Sequence, residues 1–198
     1  MRGAPPALLP AALREGSPWR NGGGVTYEVA VHPPGADLRD FEWRVSVAAV
    51  GAAGPFSAFP GIERQLLVLE GTLHLQLAGA TLQLGADSAP LVFAGEAPAA
   101  ARPEGHVHDL NVMTRRDRFR ASVQRRGGSG VHAVVARVST LLLFARTPLA
   151  WEGAGPALAL GRWDALRLEG GSGQVRGCGG PADFYEIALQ ELAPRERG

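Results

Sequence analysis

Arg64 stands near the middle of the segment Gly54–Gly71, GPFSAFPGIERQLLVLEG, behind Ser57 and Phe59. A guanidinium is permanently charged and presents a planar fork of donors; a hydroxyl adds a hydrogen bond, and an aromatic ring an apolar wall. Turned toward an interior, such a set would bind a small anion, a carboxylate above all. It is a poor set for a metal, because phenylalanine has no donor atom and a guanidinium repels a cation. Turned outward, Arg64 would instead sit on a rim in an ion pair with Glu63 or Glu70. Three further stretches bear on the same chemistry. Arg44 and Ser46 alternate with Trp43, Val45 and Val47, on a face that would point either into a pocket or to solvent. In DLNVMTRR, Asp109, Asn111 and Met113 alternate with Leu110, Val112 and Thr114. Asp and Asn are poor strand formers, so their place in a strand implies a polar wall facing a ligand, or else a bulge or an edge. Asn21-Gly22-Gly23-Gly24 precedes Thr26 and Glu28, and its consecutive N–H groups would form either an anion nest or only a loose entry loop.

His106 and His108 raise the competing possibility of a metal. On a strand, His-x-His puts two imidazoles on one face, and His74, Glu28 or Asp109 would have to complete the site. The pair directly follows the turn Pro103-Glu104-Gly105, where strand ends are exposed, and the expectation is no metal and no cofactor. The chain lacks a Gly-x-Ser-x-Gly elbow, a phosphate loop and a dinucleotide fingerprint. Its single cysteine, Cys178, rules out an intrachain disulfide and a cysteine-based zinc site.

The elements that must position these groups read as strands. The chain has 198 residues, 45% hydrophobic and 20% charged, with a formal net charge of +1, and all 20 of its basic residues are arginine. Mixed charge of this kind gives no electrostatic footprint for nucleic acid, and the absence of lysine together with 27 glycines suggests a GC-rich bacterial genome. No apolar run is long enough to span a membrane, and Pro5, Pro6 and Pro10 break the apolar start, so a cytoplasmic protein without a signal peptide is expected. Short alternating segments between Gly, Pro and Asp turns number roughly a dozen, the spacing of a barrel or sandwich. Among them, Arg64–Glu70 is expected to turn at Gly71 into Thr72–Leu77. Only Leu8–Arg14 and the first turn after Asp37 look helical. RQLLVLEGTLHLQLAG with ATLQLGADSAPLVF is echoed by VSTLLLFARTPLAWEG with PALALGRWDALRLEG, which points to two small lobes. The expected division is 1–117 for an N-terminal lobe with the pocket and 118–198 for a C-terminal lobe, with terminal strands free to cross.

The spacing of Gly51, Ser57-Ala58-Phe59, Arg64 and Gly71 resembles the first cupin motif: Gly, five residues, His-x-His, three or four residues, Glu, six residues, Gly. Here serine and phenylalanine take the histidine positions and arginine takes that of the glutamate. WRNGGGVTYEV, FEWRVSVAAV, GPFSAFPGIERQLLVLEG and DLNVMTRR occur in this order and resemble the HutD/Ves family over residues 19–116; FYEIALQEL extends the likeness near the end. The resemblance implies an all-β bicupin of two small β-barrel or jelly-roll lobes, with very little helix and without the usual metal ligands. It also implies that Arg64, Ser57 and Phe59 face a barrel interior. Asn21, Gly23, Gly24, Thr26, Glu28, Arg44, Ser46, Asp109, Asn111 and Met113 then become ligand contacts or braces, with Trp43 a second apolar wall. The implied function is binding of a small carboxylate of the formyl- or formimino-glutamate type, accessory or regulatory to histidine catabolism rather than enzymatic. The alternative is a cupin enzyme, metal-dependent through His106 and His108 or a metal-free isomerase or hydrolase. The expected partner is a small anionic metabolite, not nucleic acid or membrane, with a homodimer left open.

Overall fold

The computed structural model describes residues 4–193 as an almost purely β chain that divides into two compact units. The first is Glu15–Phe119; the second takes the described residues up to Arg14 and those from Arg120 onward. The chain begins with β1 (Ala7–Leu9) and a 3-10 turn (Ala11–Leu13). The helix expected over Leu8–Arg14 does not form, since Pro10 cannot donate a backbone hydrogen bond and blocks its continuation. The first unit carries β2 (Gly16–Pro18), β3 (Gly24–His32), β4 (Trp43–Val50), β5 (Gly54–Pro55), β6 (Ile62–Leu77), β7 (Ala80–Gly85), β8 (Leu91–Ala94) and β9 (Ala99–Arg115). After β10 (Phe119–Gly128), which leads out of it, the second unit holds β11 (Val131–Val135), β12 (Thr140–Ala145), β13 (Leu149–Gly153) and β14 (Leu158–Leu160). It ends with β15 (Ala165–Leu168), β16 (Ser172–Gly177) and β17 (Ala182–Glu191).

In the first unit the sheet order is β2-β3-β4-β9-β6-β7, with β5 on β9 and β8 on β6. The longest ladder joins β6 to β9 and runs antiparallel from Ile62 opposite Arg115 to Leu77 opposite Ala99. Its inner face is packed by Ala48, Val50, Leu66, Val68, Leu73 and Leu75, beside Phe93 and Val107. A smaller cluster of Phe41, Ile62 and Met113 adjoins the same ladder, with Phe59 against it.

Gly71 does not make the expected hairpin. The chain continues as one strand from Ile62 to Leu77, and the register slips around Glu70 before the turn at Ala78-Gly79. Buried inner positions are even-numbered before the slip (Leu66, Val68) and odd-numbered after it (Leu73, Leu75). A bulge that adds one residue to one strand has this effect, because side chains alternate with a period of two. Gly71 takes a φ of 81°, and a Cβ there would lie 2.5 Å from the His106 carbonyl oxygen.

The second unit has two sheets, β1-β15-β12-β17-β10 and β11-β16-β13-β14. The amino-terminal strand thus leaves the lobe in which residues 1–117 were expected: Ala7–Leu9 pairs with Ala165–Arg167. Trp151, about 1% exposed, sits within this unit's core among Leu141, Leu143, Leu166, Leu168 and Phe184. Gly173 makes room for the indole, since a Cβ there would come within 2.5 Å of the ring.

Gly71→Ala is expected to destabilise the protein by more than about 1 kcal/mol, the cost of a non-glycine residue in that backbone region before the clash is added. Urea denaturation followed by circular dichroism measures it; a neutral result would show that the strand tolerates the bulge without glycine.

Candidate functional site

Register decides which polar side chains turn inward. Arg44, Ser46 and Ala48 of β4 lie opposite Met113, Asn111 and Asp109 of β9, and these lie opposite Arg64, Leu66 and Val68 of β6. Directly opposed residues share a face of the sheet. Ala48, Leu66 and Val68 belong to the inner core, so the polar residues in the same rows face it too. β3 adds Thr26 opposite Ala48 and Glu28 opposite Ser46. Eight of the residues named from sequence (Thr26, Glu28, Arg44, Ser46, Arg64, Asp109, Asn111 and Met113) therefore share one face.

Arg64 is only 6% exposed and lies directly between Met113 on β9 and Phe93 on β8. Its guanidinium carbon is 4.8 Å from the Phe56 ring centre, 5.2 Å from Phe93 and 5.9 Å from Phe59. Desolvated cation–π contacts of this kind are worth up to about 2 kcal/mol. Nη2 donates to Asn111 Oδ1 at 2.7 Å, and Asn111 Nδ2 donates to Asp109 Oδ1 at 2.7 Å. Asp109 has 0% exposure. Two atoms in this chain of contacts are sealed from solvent without a hydrogen-bond partner, Arg64 Nε and Asp109 Oδ2. Burial lowers the Arg64 guanidinium to about 10, against the pull of Asp109. Burial likewise pushes the Asp109 carboxyl up to about 7, more than Arg64 and the Asn111 hydrogen bond hold it down. Both groups thus resist being charged in this interior, and each tolerates its charge only because of the other. Among the described residues these are the two buried charged side chains.

A second polar group lies farther along the face. Arg44 Nε donates to Glu28 at 2.8 Å, and Arg44 Nη1 reaches the Ser46 hydroxyl at 3.5 Å. Ser46 is buried, whereas Glu28 is exposed, so this network runs from the interior to the surface.

Other expected contacts fall elsewhere. Ser57 is exposed, in a loop between β5 and β6 that has no strand alternation to turn it inward. Phe59 is half-buried and packs edge-on to Phe41, reaching Arg64 only at the ring's rim of influence. Asn21 is exposed, and its side chain accepts from the Gly23 N–H at 3.0 Å, while the Gly22 N–H bonds Trp19. Two of the loop's N–H groups are thus engaged within the loop itself. Gly24 is required by packing instead: a Cβ would sit 2.5 Å from the Ala49 carbonyl oxygen. The Thr26 hydroxyl accepts from Trp19 Nε1 at 2.7 Å and so braces that loop. Trp43 alternates to the opposite face and stacks on His32, not on the polar cluster. His106 and His108 also face away from Asp109; His108 meets Glu70 at 3.1 Å, and His74 separately meets Glu104. Among the described residues no three His, Cys, Asp or Glu side chains gather as a metal-binding group.

The sequence reading missed Phe56 and Phe93, the two rings nearest Arg64. Phe56 lies in the segment already singled out, one residue before Ser57. Phe93 belongs to a separate strand and is brought opposite Arg64 only by β-sheet pairing.

An inner polar cluster in a small antiparallel β-unit is the layout of a cupin-like barrel protein. A cupin 2 conserved barrel domain protein from Leptotrichia buccalis, 7% identical, superposes with a TM-score of 0.62 over 96% of this chain and 98% of that one, a likeness of fold alone. The chain belongs to the HutD family, whose model matches residues 11–183. HutD from Pseudomonas fluorescens SBW25, in a formate condition, is 27% identical and aligns over 96% of this chain and 100% of that one with a TM-score of 0.80. A conserved protein of unknown function from Pseudomonas aeruginosa PAO1 is 31% identical, with a TM-score of 0.85 over 94% and 100%. Protein Ves of Citrobacter koseri is 43% identical over 109 residues, 54% of this chain and 56% of that protein. The chain thus spans little more than half the length of such Ves relatives. A 21.2 kDa protein of the hutC 3′ region of Pseudomonas putida is 35% identical over 162 residues, 77% of this chain and 81% of that one.

Asp109 titrates higher folded than unfolded, from an ordinary 3.8 to about 7. Its contribution to stability is therefore fully present below about pH 4 and is lost as pH rises through about 7. Arg64→Met removes the countercharge, and at pH 8 it is expected to cost about 3–5 kcal/mol. Part of that loss returns at pH 5, where Asp109 is protonated. Urea denaturation at both pH values checks this; equal losses would mean that Asp109 is not the charge left uncompensated.

Proposed function

We propose that the interior of the Glu15–Phe119 unit binds a small carboxylate metabolite of the formyl- or formimino-glutamate type. In this reading the protein acts in the cytoplasm as an accessory or regulatory binder in amino-acid catabolism, histidine breakdown in particular. The observation that carries the proposal is Arg64, a buried guanidinium enclosed by three phenylalanines that makes one hydrogen bond and keeps Nε without a partner. An arginine in this state is preset for a planar anion, since its fork offers donors that match a carboxylate and it is already largely desolvated. Asn111 and Ser46 line the same face and supply further hydrogen bonds, while Phe56 and Phe93 supply the apolar walls. A groove of about 670 Å³, lined by Pro55, Phe56, Gln76, Leu77 and Pro98, lies beside the Phe56 ring. Membership of the HutD family agrees with a role in histidine utilisation.

Thermal-shift titration with N-formyl-glutamate, formimino-glutamate, urocanate, glutamate and formate tests the reading. At least one is expected to raise the melting temperature of the native protein, with no such rise in Arg64→Met compared with its own baseline. Ser46→Ala is expected to weaken binding by about three- to tenfold, the worth of roughly one hydrogen bond. No shift with any of the five compounds, or an equal shift in Arg64→Met, would end the proposal.

A further inference from the structure

We propose that Asp109 sets the charge balance of the Arg64 site, so that a carboxylate binds there together with one proton, which Asp109 takes up. The inference rests on the binding reading above. Asp109 is fully enclosed; one of its oxygens accepts from Asn111, and the other has no partner. Its neighbours across the two ladders are apolar, Ala48 on β4 and Val68 on β6. The remaining charged groups on the inner face are Arg44 and Glu28, which neutralise each other. His106 and His108 alternate to the outer face, where His108 meets Glu70. Asp109 and Arg64 are therefore each other's countercharge.

An anion arriving at Arg64 upsets this pairing. Two carboxylates would then share one guanidinium in an interior that screens poorly, and two such groups in one site cannot both stay ionised cheaply. The ligand's carboxylate gains direct contact with the guanidinium, whereas Asp109 reaches it through Asn111. Asp109 is thus the group that gives way. A proton from solvent adds to its unpartnered oxygen, and a neutral enclosed hydroxyl costs less than an enclosed carboxylate oxygen with no donor. Burial already holds this carboxyl near neutrality, so the proton is available at ordinary pH.

Affinity for N-formyl-L-glutamate, whose own carboxyls have pKa values of about 4 and so stay ionised between about pH 5.5 and 8.5, provides the test on the full chain. Native protein is expected to lose affinity above about pH 7, approaching tenfold per pH unit. Asp109→Asn, neutral at every pH, is expected to bind with no such dependence and more tightly than native protein at pH 8.5. Calorimetry of native protein at pH 7.5 in Pipes and in Tris supplies a readout that does not depend on the variant folding. Enthalpies that differ by the two buffers' ionisation are expected, and they report proton uptake. Binding with flat pH dependence and buffer-independent enthalpy would overturn the coupling and leave the carboxylate site standing. Absence of binding at every pH, in native protein and variant alike, would overturn the site and the coupling together.

Discussion

Arg64 and Asp109 impose the main constraint on the first unit. Each is a charge placed where apolar side chains would pack at lower cost, and each is tolerable because the other is present. Asn111 holds the pair at a fixed separation by donating to one and accepting from the other. An enclosed pair of this kind is weak as a source of stability, since desolvation offsets most of the attraction. In the proposed binding role it provides a cation already largely desolvated before it meets an anion. The three phenylalanines around Arg64 fit that role, because they exclude water while leaving hydrogen-bond donors unused.

The pair exists only because β6 and β9 are held in one register. Shifting β6 by a single residue against β9 would turn Arg64 outward and bring Glu63 or Gln65 in. The bulge around Gly71 matters for the same reason. It lets the far half of β6 keep Leu73 and Leu75 in the core although their numbering parity differs from that of Leu66 and Val68. Without it, the strand could satisfy the polar end or the apolar end of the interior, but not both.

The two units treat their interiors differently. In the first, charged and amide groups occupy positions that the core could have filled. In the second, Trp151 packs among leucines, and Gly173 yields room for its ring. The second unit does carry arginines, and two of them converge on one carboxylate: Arg125 grips Asp183 through two hydrogen bonds and Arg146 adds a third. The faint repeat in the sequence therefore reflects shared strand architecture, while the buried charged pair among the described residues lies in one copy.

Much of this was legible in the residues themselves. Alternation marked the strands, and the order of four segments marked the family. The type of each residue also told what it could do: guanidinium at 64 and amide at 111 allow anion chemistry, while guanidinium at 64 and phenylalanine at 59 disfavour a metal. Side-chain chemistry is local, so sequence alone determines it. Which groups meet is not local. Ser57 is exposed, and the Gly22 and Gly23 N–H groups are engaged within their own loop, because loops have no fixed alternation to aim such groups inward. Phe93 could not be foreseen at Arg64, because a strand's partner is chosen by pairing across the sheet. Likewise, Asp109 was expected as one contact among several, and only its enclosure made it the countercharge. The kind of chemistry available is written in the residue types; which groups are desolvated together follows from the fold, since desolvation depends on what packs around a charge.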